Sequence, residues 1–206
     1  MAINFAKTTY AGRTPAIWRG ECKVLPGGFK PKNTISNGAV ILRGAPVCVD
    51  FDSMEAAVIK CVKVLSGGTT SKPRVAKGHY FAPTDVVMKV GKTDASPTIS
   101  SIDTSNADYD VLNLSAAITG LAADDVLVEA TPYTAASGND EAVPAAEKYI
   151  PNGVLAADLE VKDKLDTFDV AYEAVVLSNV LPCPVQDSWI TGIALKNNPN
   201  IIFVKQ

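Results

Sequence analysis

Short β-branched runs, each stopped by glycine, proline or an Asx residue, constrain this chain more than any other feature. Ala39-Val40-Ile41-Leu42-Arg43 runs into Gly44-Ala45-Pro46, and Val47-Cys48-Val49-Asp50-Phe51 follows at once. Residues 56–65 alternate loosely and stop at Gly67-Gly68, and Val86-Val87-Met88-Lys89-Val90 stops at Gly91. Turn signals at intervals of about 8–12 residues describe an all-β sandwich or barrel, because no helical period survives them. Further strands are expected at 99–103, 109–114, 125–130, 154–155, 159–161, 170–177 and 201–204. The count is about ten.

Two places depart from this pattern. Ser115 is placed to cap a single helical turn halted by Gly120. Val185, Trp189 and Ile193 recur at i, i+4 and i+8, which predicts a short helix over 185–195 that buries Trp189. The fold class is therefore mainly β, a sandwich or barrel with one or two short helices.

Residues 1–37 read as an extended arm and residues 38–206 as a β-rich body, with a long loop at 131–152 where the body could divide. The arm is rich in Gly, Pro and Thr, yet it carries Phe5, Tyr10, Ile17, Trp18, Leu25 and Phe29. Burying one large aromatic is worth about 2–3 kcal/mol, so such an arm docks on its own body, a sister subunit or another protein. If it docks on another molecule, removing residues 1–37 leaves the body folded.

The net charge of −3 hides a polarity. Residues 1–43 hold seven Lys or Arg against the single acid Glu21, while residues 94–173 hold sixteen acids against three lysines. The two blocks either meet different partners or pair with each other. The bases are scattered through strand-like sequence without interleaved aromatics, which argues against nucleic acid as a partner. No 18-residue apolar run exists to form a membrane-spanning helix. No apolar leader is visible at the N-terminus.

The familiar catalytic patterns do not occur. His79 is the sole histidine and sits beside aromatics in Lys77-Gly78-His79-Tyr80-Phe81, where a structural turn role suits it better than that of a base. Ser66-Gly67-Gly68-Thr69 reads as a hairpin loop rather than a phosphate cradle. Acids are plentiful over 94–173, but nothing marks a glycosidase-like pair. Asp103-Thr104-Ser105-Asn106-Ala107-Asp108 lacks the later residues of a calcium loop and reads as an Asx-rich turn. Cys22, Cys48, Cys61 and Cys183 lack the spacing of a zinc site and read as buried small hydrophobes of a reducing compartment; a Cys48–Cys61 pair across adjacent strands remains open. No cofactor and no metal is expected.

Three stretches taken in order carry a family likeness. They are Gly38-Ala39-Val40-Ile41-Leu42-Arg43-Gly44-Ala45-Pro46-Val47; Lys77-Gly78-His79-Tyr80-Phe81 with Asp85-Val86-Val87; and Ile99–Asp103 followed by Tyr109–Leu114 and Asp125–Ala130. Over roughly residues 25–132 this order resembles the head fiber or capsid decoration proteins of tailed bacteriophages. In that family Phe-x-Val-Gly-Asp usually follows the Lys-Gly-His segment; here the stretch is Phe81-Ala82-Pro83-Thr84-Asp85, with Thr84 in place of the glycine.

The resemblance implies a non-enzymatic virion protein on the outer surface of the phage head. It would be assembled in the bacterial cytoplasm, bound to the major capsid protein, and associated with itself as a homotrimer. Capsid or subunit docking then falls to Phe5, Tyr10, Arg13, Trp18, Arg19 and Phe29. The alternative is a β-sandwich that binds a carbohydrate or host-surface glycan, with Trp18, Tyr133, Tyr149 or Trp189 as stacking platforms.

Overall fold

The computed structural model describes residues 17–25, 28–36, 38–138, 140–162 and 167–205. Phe5, Tyr10 and Arg13 of the expected docking set lie outside the described residues. The arm supplies β1 (Lys23–Val24) and β2 (Lys30–Pro31), followed by β3 (Val40–Ile41), β4 (Pro46–Asp50) and β5 (Glu55–Val58). The fold is mainly β, as the punctuation dictates.

The next six strands close on one another. They are β6 (Cys61–Leu65), β7 (Arg74–Ala76), β8 (Val87–Lys89), β9 (Ile99–Asp103), β10 (Tyr109–Leu114) and β11 (Val126–Thr131). Antiparallel pairing runs β8-β11-β6-β7-β10-β9. The Val86–Thr98 bridge returns β9 to β8, with the Ile99 N–H donating to the Asp85 carbonyl at 2.8 Å. The result is a small, curled, barrel-like sheet whose two ends are joined at that bridge. Period-2 alternation turns Val62, Val64, Val75, Val87, Leu112 and Leu127 into its core.

Ile118, fully buried, packs into the same core, with its N–H on the Thr70 carbonyl. The helical turn expected at Ser115 is not formed: the Ser115 hydroxyl instead accepts from the Thr98 N–H. The long strand expected over 56–65 is two strands, β5 and β6, which leave for different sheets.

A second sheet packs on the barrel. β12 (Ala146–Glu147) extends β11, and β13 (Gly153–Leu155), β14 (Leu159–Glu160), β15 (Val170–Leu177), β16 (Ile190–Thr191), β17 (Ala194–Leu195) and β18 (Asn198–Val204) complete the chain. The sheet runs β16-β17-β18-β15-β13-β4-β5-β2, with β1 also on β15; β3 and β14 pair separately. Met88 and Val128, on the outer face of the barrel, share one cluster with Val154, Val176, Trp189 and Ile201 from the sheet.

Trp189 is 1% exposed, as expected, but it does not lie on a helix. Residues 187–189 form a 3-10 turn, and Ile190 and Thr191 pair with Leu195 and Ala194 across Gly192-Ile193. Gly192 at φ 64° supplies the positive dihedral that a two-residue hairpin needs, and this local requirement overrides the helical spacing. Ile193, the third member of the supposed apolar face, is 60% exposed.

The cysteine expectation also changes. Cys61 and Cys183 are both buried, but they form a disulfide with Cα atoms 6.0 Å apart, which ties β6 to the segment after β15. Cys48 is half-buried and free, so the Cys48–Cys61 pair does not form.

The described part of the arm lies on its own body. Its main chain follows β15: the Leu177 N–H donates to Ile17, the Arg19 N–H to Val175 and the Leu25 N–H to Val170. Phe29 and Phe168 exchange both main-chain hydrogen bonds at 2.9 and 2.7 Å. Gly28 turns the arm here at φ 61°, and a Cβ on it would collide with the Thr167 side chain. Ile17, Phe29 and Ile35 are buried in the core. Removing residues 1–37 would therefore strip Ile17, Phe29 and Ile35 from the core.

Phe29→Ala is expected to lower the unfolding free energy in urea by about 3–5 kcal/mol, the usual cost of emptying a buried phenylalanine site. A loss below about 1 kcal/mol would mean that the arm is not part of the core.

Candidate functional site

The alternation that fills the barrel places charge at one of its ends. Lys60 continues the inward face of Val62 and Val64, Asp85 that of Val87, and Glu129 that of Leu127. Asp110, on the inward face of β10 with Leu112, brings Lys77 and His79 to the same half of the barrel. The mouth holds three carboxylates, three lysines with Lys148, and one histidine.

Each carboxylate has a cation. Lys60 Nζ lies 2.8 Å from Asp85 Oδ2, with side-chain exposures of 3% and 14%. Lys77 Nζ lies 2.6 Å from Asp110 Oδ1, and Lys148 Nζ lies 2.6 Å from Glu129 Oε1. The bond to Glu129 raises the Lys148 pKa above its ordinary value. Glu129 Oε2 is buried and has no partner.

His79 is fixed at one nitrogen and faces a carboxylate with the other. Its Nδ1 accepts from the Phe81 N–H at 3.2 Å, so the ring proton of the neutral form is on Nε2. Nε2 faces Asp110 Oδ2 at 3.3 Å, an ion-pair distance without hydrogen-bond alignment. Burial holds the imidazole below its ordinary pKa, against the pull of Asp110. With Nδ1 committed to the main chain, the pair lacks the free nitrogen through which a triad histidine serves a nucleophile.

The strand into β8 begins in a tight turn. The Asp85 N–H donates to the Ala82 carbonyl at 3.2 Å, and the Ala82 N–H donates to Asp85 Oδ2 at 2.8 Å. Pro83 occupies the second position and Thr84, at φ 78°, the third. That is the pattern of a type II turn, whose third position favours glycine. Thr84 is where the resembled family has its glycine. A β-branched side chain there carries backbone strain.

Beside this turn a recess of about 410 Å³ opens, lined by Lys60, Thr84, Asp85, Glu129, Lys148 and Tyr149 among others. A second, more apolar recess of about 930 Å³ lies by the last strands, lined by Ile190, Ile193 and Phe203 among others. Among the described residues no group of three His, Cys, Asp or Glu side chains is arranged to hold a metal. At the tip between β9 and β10, Asp103 accepts from the Ser105 N–H and Asn106 from the Asp108 N–H, an Asx-rich turn.

The predicted docking residues divide. Arg19 is exposed, Trp18 is half-buried against the central cluster, and Phe29 is buried in the chain's own core, where it anchors the arm to the body. The aromatics proposed as glycan platforms form no common exposed face. Trp189 is buried and donates its ring N–H to Glu147, and Trp18, Tyr133 and Tyr149 are half-buried against the same cluster. Tyr149 alone lines the polar recess.

Sequence reasoning missed the charged mouth. Its signal was present: Lys60 and Glu129 interrupt apolar alternation at inward positions. Compared with family models, curated proteins and solved structures, the chain matches none.

Thr84→Gly is expected to raise stability in urea by about 1 kcal/mol, the relieved strain less the added freedom of the unfolded chain; a loss would contradict the turn. Asp85→Ala leaves a buried ammonium unpaired and is expected to cost about 3–5 kcal/mol, most of it recovered by Lys60→Met with Asp85→Leu. Equal losses in the single and double variants would show that the ion pair is not the cause.

Proposed function

We propose that the chain is a structural virion protein of a tailed bacteriophage, decorating and stabilising the outer surface of the head. It binds the major capsid protein and works as a homotrimer. The observation that carries this reading is the turn Ala82–Asp85. The stretch departs from the resembled motif at Pro83 and Thr84, and at Thr84 φ is 78°, a left-handed conformation that a glycine there would adopt without strain. The aspartate that ends the motif closes the same turn and pairs with Lys60.

The distribution of charge supports the same reading. Arg19, Lys23 and Lys30 are exposed on the arm, while Asp103 and Asp108 are exposed at the barrel's β9–β10 tip and Asp94 near its β8–β9 connection. A basic sheet edge suits an attachment surface, and a repeated acidic surface keeps densely arrayed copies soluble. On this reading the Cys61–Cys183 bond forms once lysis releases the particle from the reducing cytoplasm.

Purified chain is expected to cosediment with heads of its phage prepared without it, and to run alone at three times its 21.6 kDa. Arg19→Glu with Lys30→Glu is expected to weaken head binding about tenfold with no change in melting temperature. Failure of the wild-type chain to bind heads would overturn the reading, and undiminished binding by the variant would remove the arm from the contact.

A further inference from the structure

We infer that the recess at the barrel mouth is a binding site for a neutral sugar residue, with Glu129 Oε2 as acceptor, Lys148 as donor and the Tyr149 ring as stacking face. This inference does not rest on the head-binding reading. It starts from one unsatisfied group: the Glu129 side chain is 5% exposed, its Oε1 is bonded to Lys148, and its Oε2 has no partner. A desolvated acceptor without a donor costs about 1–3 kcal/mol, which an entering donor returns.

The surroundings select the donor. Lys60 and Asp85 pair with each other, as do Lys148 and Glu129, and Lys32 on the rim pairs with Asp50 and Glu55, so every charge lining the recess has a counter-ion. The recess offers a free acceptor beside ammonium donors, and the group that meets both is a hydroxyl, which donates and accepts at once. Tyr149 adds an apolar face, and Lys148 Nζ lies 5.5 Å from the centre of its ring. A volume of about 410 Å³ is at the small end of ligand pockets, the scale of one or two sugar rings.

The test uses the whole chain, ¹⁵N-labelled, titrated separately with glucose, galactose, mannose and N-acetylglucosamine, each to ~20 mM, which loads a site of roughly millimolar Kd. At least one sugar is expected to shift the amides of Thr84, Asp85, Glu129 and Lys148 saturably. Tyr149→Ala, at a half-buried position away from the strand ladders, is expected to weaken that sugar about fivefold. Glu129→Gln is expected to weaken it further. The proposal is overturned if no sugar shifts these amides, if Tyr149→Ala binds as tightly as the wild type, or if methylammonium shifts them while the sugars do not.

Discussion

Lys60 and Asp85 meet at the charged end of a barrel whose interior is otherwise largely apolar. Taking both charges out of water costs several kcal/mol per ion, and a well-packed apolar pair would serve stability as well or better. What the pair supplies is position. Asp85 Oδ2 accepts from Lys60 and from the Ala82 main chain together, so one carboxylate fixes the start of β8, the turn before it and the rim of the recess. The Asp85 carbonyl also takes the Ile99 N–H beside the Val86–Thr98 bridge. Closure of the barrel and shape of its mouth thus depend on the same few atoms.

The two ends of the barrel contrast. Ile118, Leu114 and Leu121 belong to its apolar packing, whereas the mouth is charged and paired. The outer face of the barrel is apolar where it meets the long sheet, and the disulfide from Cys61 to Cys183 crosses that junction. On the far side of β15 the arm adds a strand, so the chain's first described residues and its last strand flank the same central element.

Much of the fold was legible because strand punctuation is local. The runs at 47–51, 99–103, 109–114 and 170–177 needed only β-branched residues and flanking turns. What was hidden depended on distant partners. Residues 185–195 carry a helical spacing that pairing across Gly192 overrides. The arm's greasy residues announced docking but not its target, which is β15 about 150 residues away. Cys61 and Cys183 are far apart in sequence, and only the packing of barrel on sheet joins them. The charged mouth was readable as broken alternation at Lys60 and Glu129, yet only closure of the ring brings those positions together.

The place we propose for this barrel-and-sheet unit is the outer surface of a phage head. Cryo-electron microscopy of intact particles from the host that carries the gene tests it most directly. Density for three copies is expected at each occupied site outside the capsid shell, with the arm-bearing sheet edge toward the capsid and the barrel's acidic tip toward solvent. Particles with no such density, or with the chain inside the shell, would contradict it.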